Sequence, residues 1–346
     1  MTRLDHAPRV VVVGYGRWGR YCHCYLVRGT AGLTLHGVVS ADPAKREAIR
    51  AEQQCRAYAS LDEALRDDAV DVIVLATPNA VHASQAVAAL DAGKHVVTDK
   101  VMCLNLPECD RMIAAATRND RLLTVFQNRR LDGDFLTVRK LIQDGDLGDV
   151  RWLEMAWQGF GIWGGWRGQS GMGGGRIYDL GAHLLDQILL LFPEEVTGVY
   201  CRTHHDAPER DVESEGFLVV TFGSGRTAVV DVSSLAAIQK PRFYVRGTGA
   251  TFCKYGLDPQ EKAMMAGAID SAVEPESQYG VLRTKDGERT IATLPGRWRS
   301  YHENLRDVLT LGAEPLVTLS QARRVMAVID AAKRSGLLAQ VVRPER

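Results

Sequence analysis

An apolar run, Val10 to Val13, leads straight into Gly14-Tyr15-Gly16-Arg17-Trp18-Gly19, and this junction constrains the fold more than any other stretch. A strand, three glycines at that spacing and then a helix (here Arg20 to Arg28) make the phosphate-binding turn of a dinucleotide fold. The first glycine permits the tight turn, the second lets a pyrophosphate reach backbone amides, and the third lets the helix close on the strand. The helix N-terminus adds about half a positive charge toward the phosphates. Gly14, Tyr15, Gly16, Arg17, Trp18 and Gly19 are the expected cofactor contacts.

The rhythm continues downstream. Leu33 to Val39 reads as a strand, Pro43 to Gln53 as a helix opened by Asp42, and Val70 to Leu75 as a strand. Val81 to Ala92 is helical and stops at Gly93, a C-cap position. Strand Val96-Val97, helix Leu106 to Arg118 and strand Leu122 to Phe126 follow. Strands alternating with helices imply right-handed crossovers and a parallel sheet, so 1–127 is expected to be a Rossmann domain. A helix from Arg129 to Gln143 then leads to a hinge at Gly145-Asp146-Leu147-Gly148, beyond which the texture changes. Arg151 to Gln158 alternates like a half-buried strand, and a Gly/Trp-rich segment precedes a helix from Tyr178 to Leu191. Four or five strands follow, between Val196 and Tyr255, with no helices between them, which favours an open, mainly antiparallel sheet. Pro259 to Gly287 reads as loops, and Trp298 to Leu311 and Ser320 to Arg334 as closing helices. Residues 128–346 are therefore expected to form a second, α+β domain for substrate binding and oligomerisation.

A chain of 346 residues exceeds one typical domain, and 46% hydrophobic content is enough for two cores. Lys+Arg and Asp+Glu are equal at 42 each, so no electrostatic pull toward nucleic acid or membranes is expected. No signal peptide or membrane span is readable. With an odd seven cysteines, free thiols in a reducing cytoplasm are expected. Cys22-His23-Cys24 lies in a helix that sends the two thiols to different faces, so no metal is expected there.

The chemistry-bearing residues lie near the strand ends and on one later helix. Ser40 and Lys45, with Arg46, stand where an acidic residue would otherwise take the adenosine ribose, which favours NADP(H), with NAD(H) the alternative. Asp42 is expected to cap the helix. Thr77, Pro78, Asn79 and His82 follow the third long strand, at the crevice where open sheets bind ligands. Asp99 and Lys100 end the next strand, where an ammonium can stabilise alkoxide character as hydride leaves carbon. Asp179 and His183 are four residues apart and share a helix face after Gly173-Gly174-Gly175. An imidazole there can take a hydroxyl proton during oxidation and return it in reduction. Of Trp152, Trp157, Trp163 and Trp166, only Trp166, with Arg167, is expected to face substrate.

Five stretches together resemble the Gfo/Idh/MocA oxidoreductases over nearly the whole chain. They are the glycine fingerprint, Ala76-Thr77-Pro78-Asn79, Ala92 to Lys100, Phe126-Gln127-Asn128-Arg129-Arg130 and Tyr178 to Asp186. Asp134-Phe135-Leu136-Thr137 and Lys254 to Glu261 are similar to the subgroup of NADP-linked scyllo-inositol dehydrogenases and related bacterial oxidoreductases. The resemblance implies that Lys100, Asp179 and His183 are catalytic, that Asn128, Arg129 and Tyr178 line the substrate site, and that the second sheet forms homodimers or homotetramers. It implies a polyol, sugar or keto-sugar substrate. The family pattern Glu-Lys-Pro appears here as Asp99-Lys100-Val101, and loss of proline is expected to alter the aim of Lys100. Reduction of an imine or enone, a non-catalytic cofactor-binding regulator and glycoside cleavage by transient oxidation stay open as alternatives.

Overall fold

A computed structural model describes residues 3–161, 164–207 and 209–345; Trp163 lies outside them. The chain forms two compact units. The first gathers Met1–Asn128 with Glu261–Ile269 and Arg297–Arg323, and the second Arg129–Gln260, Asp270–Gly296 and Arg324–Arg346. The architecture is the expected one, a parallel Rossmann sheet and a separate, mainly antiparallel sheet.

In the first unit β1 (Arg9–Val13), β2 (Thr34–Val39), β3 (Arg56–Tyr58), β4 (Val72–Leu75), β5 (His95–Thr98) and β6 (Leu123–Val125) pair in the order β3-β2-β1-β4-β5-β6, all parallel. Both faces are covered by helices, which is why β4 and β5 are buried at every residue. The order reverses between β1 and β4, the switch point where such sheets bind ligands. The helix expected after β1 begins instead as a π-helical turn, Gly19–Cys24, and continues as α1 (Tyr25–Arg28). It is followed by α2 (Pro43–Gln53), α3 (Leu61–Leu65), α4 (His82–Asp91) and α5 (Leu106–Arg118). The later helix Arg299–Leu311 also belongs to this unit: Tyr301 and His302 pack edge-on to Phe126 at 4.9 and 5.4 Å between ring centroids.

Three buried histidines give this unit a pH dependence. Burial pushes His95 down to about 4, and lowers His82 and His302 as well. The folded His95 ring stays neutral while the unfolded chain takes protons near 6.5. With a depressed folded pKa, the stability contribution is full above about 6.5 and is lost as the pH falls toward 4. The Tm is expected to drop between pH 7.5 and pH 5, and His95→Gln is expected to shrink that drop, as read by thermal scans at both pH values. An equal drop in the variant would discard this account.

In the second unit α6 (Gly133–Gln143) precedes β7 (Val150–Gln158), and α7 (Ala182–Leu191) precedes β8 (Val196–His204), β9 (Glu215–Phe222), β10 (Thr227–Ser233), β11 (Phe243–Gly247), β12 (Thr251–Lys254), β13 (Gly280–Thr284) and β14 (Gly287–Ile291). The sheet order is β14-β13-β12-β11-β7-β10-β9-β8, with only β7 and β10 parallel. The expectation of loops over Pro259 to Gly287 is corrected here: β13 and its turn to β14 add a charged edge hairpin, whose polar side chains hide the alternation. α7 packs on β7 and β10. On β7, Leu153 and Met155 are fully buried on one face, while Trp152 and Glu154 on the other remain partly exposed.

Candidate active site

In the first unit the fingerprint forms a cradle. Gly14 has φ +104°, and a Cβ there would lie 2.6 Å from the Ala76 carbonyl oxygen. A Cβ on Gly19 would lie 2.1 Å from the Gly14 oxygen, whereas one on Gly16 would meet nothing within 4 Å. Two glycines are therefore required by the fold, and the third opens space beside the helix start. Arg17 is exposed, and Trp18 packs edge-on to Trp298 at 6.3 Å. Tyr15 turns away from this space: its hydroxyl donates to Glu52 at 2.6 Å and accepts from Gln53, and burial with the Glu52 bond pushes its phenol up to about 12. Its side chain is committed to the protein, which leaves its main chain at the turn.

At the end of β2, Asp42 accepts the N–H groups of Ala44 and Lys45 as the helix cap, so its carboxylate is occupied. Ser40 Oγ accepts the Asp42 N–H, and Arg46 Nη1 donates to the carbonyls of Ser40 and Ala41 at 2.9 Å each. Lys45 is exposed. A hydroxyl and two cations thus gather where a ribose-binding carboxylate would otherwise stand.

After β4, Thr77 donates its hydroxyl to Gln85 at 2.8 Å, Pro78 precedes a 3₁₀ turn, and Asn79 begins it. His82 is fully buried, with Nε2 at 3.0 Å from the Thr77 carbonyl and Nδ1 at 2.9 Å from the Val101 carbonyl. It braces two loops against each other and has no surface for a direct cofactor contact. After β5, Asp99 accepts the Lys100 N–H at 2.8 Å, and its other oxygen lies 3.5 Å from His23 Nε2. Burial raises the Asp99 pKa, but His23 and Lys100 more than offset this and hold the carboxyl below its usual range. The Lys100–Val101 peptide is cis, and Lys100 is half-buried. Asn128, at the end of the unit, is buried.

In the second unit the expected single helix is split. Ile177–Gly181 is a π-helical turn, and α7 follows it. Such turns recur at functional sites, and Gly19–Cys24 is another in this chain. Arg167 Nε lies 3.3 Å from the Asp179 carboxylate, and its guanidinium sits 4.6 Å over Trp166. The glycine run serves the protein itself. A Cβ on Gly174 would lie 2.3 Å from the Arg167 oxygen, and one on Gly175 would lie 2.5 Å from the Glu213 carboxylate. Glu213 accepts the Ile177 N–H at 2.8 Å, capping the segment that carries Asp179. Tyr178 is buried, its hydroxyl accepting from Lys333 at 2.7 Å. His183 is buried and stacks on Trp157 at 5.7 Å between centroids with 26° between planes, and the Arg129 guanidinium covers the same indole at 4.7 Å.

Sequence reasoning missed Glu213 and Trp157. Trp157 shares parity on β7 with Leu153 and Met155, which points it toward α7, so the alternation carried the signal. Nothing in the local pattern marks Glu213, which is brought in by β9 pairing. Among the described residues, no group of His, Cys, Asp and Glu is arranged to hold a metal, and no helix is long and apolar enough to cross a membrane.

The sequence profile of the oxidoreductase family's NAD-binding Rossmann fold matches residues 8–127, and that of the GFO/IDH/MocA C-terminal domain matches 135–253. The chain belongs to the Gfo/Idh/MocA oxidoreductases. Within this family it is 35% identical over 335 residues to the uncharacterized oxidoreductase YdgJ of Escherichia coli, covering 93% of this chain and 94% of that one. It is 31% identical over 343 residues to the NADP(+)-dependent scyllo-inositol 2-dehydrogenase IolW of Bacillus subtilis, covering 94% and 93%. The solved structure of an NAD-binding protein from Listeria innocua superposes with a TM-score of 0.85 at 30% identity, covering 98% and 97%. The family is one of NAD(P)-binding Rossmann oxidoreductases, and the open space at Gly16 fits such a group.

Proposed function

We propose that this chain is an NADP(H)-dependent dehydrogenase that moves hydride between nicotinamide C4 and the carbinol carbon of a cyclitol, sugar or keto-sugar. The reading is carried by two groupings in the second unit, His183 stacked on Trp157 and the Arg167–Asp179 pair beside Trp166, which offer a proton carrier, polar partners and apolar faces for a polyol. The similarity to IolW supports the substrate class.

Bound NADP(H) supplies the hydride acceptor or donor. The amides at Gly16 and Gly19, with Arg17, would hold the pyrophosphate; Ser40 and Lys45 would hold the 2'-phosphate; Pro78 and Asn79 would flank the nicotinamide side. Lys100 polarises the reacting oxygen. His183 accepts the hydroxyl proton when the carbinol is oxidised and returns it when the ketone is reduced. Asp179 orients a neighbouring hydroxyl, and Asn128, Arg129, Trp166, Arg167 and Tyr178 shape the remaining substrate contacts.

The test is a thermal-shift comparison of NADP+, NADPH and NAD+, followed by turnover on inositols, aldoses and keto-sugars. A larger shift with NADP+ than NAD+, and turnover on a polyol, are expected. Ser40→Asp should weaken NADP+ at least about tenfold relative to NAD+ by repelling the phosphate. Turnover confined to cyclic imines, or a preference for NAD+, would overturn the reading. We also propose a cytoplasmic homodimer or homotetramer joined through the half-exposed sheet face, which size-exclusion chromatography with light scattering tests.

A further inference from the structure

A general acid–base imidazole works only if its ring is held in one orientation, because a displacement of about 1 Å can cost 10²-fold in rate. His183 stands against the Trp157 indole, 5.7 Å away and 26° from parallel. That indole is itself gripped by two guanidiniums, Arg129 at 4.7 Å and Arg242 at 5.1 Å from its centroid. Arg242 is 2% exposed and opens β11, three strands' worth of sequence away from the helix that bears His183. Its Nη2 donates to Gln187 Oε1 at 3.0 Å, and Gln187 Nε2 donates to the Arg129 carbonyl at 2.6 Å. Gln187 lies one helical turn beyond His183 on α7, so the same helix is tied to the Arg242 guanidinium and to the main chain of Arg129. The Asp134 carboxylate lies 3.9 Å from Arg242 Nε, supplying countercharge without a close hydrogen bond. The guanidinium carbon sits over the indole while Nη2 reaches the helix.

We propose that Trp157 and Arg242 are positioning residues for His183, Arg242 acting through the indole. The proposal rests on His183 being the acid–base group. It predicts that shape matters more than charge. Lysine at 242 keeps the charge but offers neither a planar face nor a fork, so Arg242→Lys cannot replace arginine.

The experiment measures kcat and KM on the best substrate of the polyol and keto-sugar panel with saturating NADP+. Trp157→Phe, which keeps a stacking ring, is expected to lose about threefold to tenfold in kcat, and Trp157→Leu about 10²-fold, with KM changed less than threefold. Arg242→Lys is expected to resemble Trp157→Leu. In a His183→Gln background, Trp157→Leu should cost less than twofold more, because a residue that acts through His183 has nothing left to position. Histidine-labelled NMR supplies a readout independent of turnover: the His183 ring signal, shifted by the indole's ring current, should move or broaden in Arg242→Lys although Trp157 is intact. If Arg242→Lys does not fold, the Trp157 series decides.

Full multiplicative losses in the His183→Gln background, or parental kcat in Trp157→Leu, overturn the positioning role alone. Parental turnover in His183→Gln by itself overturns the acid–base assignment and with it this proposal. The two failures are thereby told apart.

Discussion

His183→Ala is expected to lower turnover by about 10²–10⁴-fold, the range that a positioned proton carrier contributes. Lys100→Ala is expected to cost about 10²–10³-fold, the loss typical of removing one group that stabilises developing oxyanion charge. Both variants should bind NADPH with parental affinity, because the amides of the glycine cradle are untouched by either change. The pH dependence separates them. Without His183, kcat/KM should lose the limb that reports its ionisation, whereas without Lys100 the limb should remain and the whole profile should fall. Steady-state kinetics across pH 5.5 to 9, with NADPH titrated by fluorescence, reads both effects. Unchanged turnover in both variants would leave a cofactor-binding protein whose chemistry, if any, lies elsewhere.

The sequence made the fold legible wherever a period or a backbone requirement was at work. Continuous apolar runs of four residues announced β1 and β4, and the glycine spacing placed the turn after β1. Elements without such a signature were illegible. β3 spans three residues, too few to show a period, and β13 with β14 carries charges on both faces of an edge hairpin. The site was legible in its residue types but not in their directions. Tyr15 and His82 occupy positions where a ligand contact is reasonable, yet one turns to Glu52 and Gln53 and the other is buried between the Thr77 and Val101 carbonyls. A polar side chain beside a cradle satisfies whichever partner is nearest, and that partner comes from another part of the chain. Glu213 and Arg242 went unnoticed for the same reason. They stand just before β9 and β11, and the pairing of those strands brings them to the segment bearing Asp179 and His183.

The glycine fingerprint offers the second large effect, because its three glycines serve different purposes that substitution can separate. Alanine at position 19 would place a methyl carbon 2.1 Å from the Gly14 carbonyl oxygen, and alanine at 14 would place one 2.6 Å from the Ala76 oxygen at a backbone angle side chains rarely adopt. Main-chain atoms of β1 and β4 cannot yield to either, so Gly14→Ala and Gly19→Ala are expected to give insoluble or strongly destabilised protein. Gly16→Ala meets no atom within 4 Å, and its folding cost should stay near the few tenths of a kcal/mol of a surface change. Its methyl would instead stand in the space a pyrophosphate needs beside the helix N-terminal amides. The expected result is a parental Tm in the absence of ligand, at least about 10²-fold weaker NADP(H) binding by titration calorimetry, and loss of the ligand-induced rise in Tm that tight binding confers. Parental affinity in Gly16→Ala would mean that the cofactor does not approach the chain at this turn, and the assignment of the cradle would fall even though the Rossmann sheet stands.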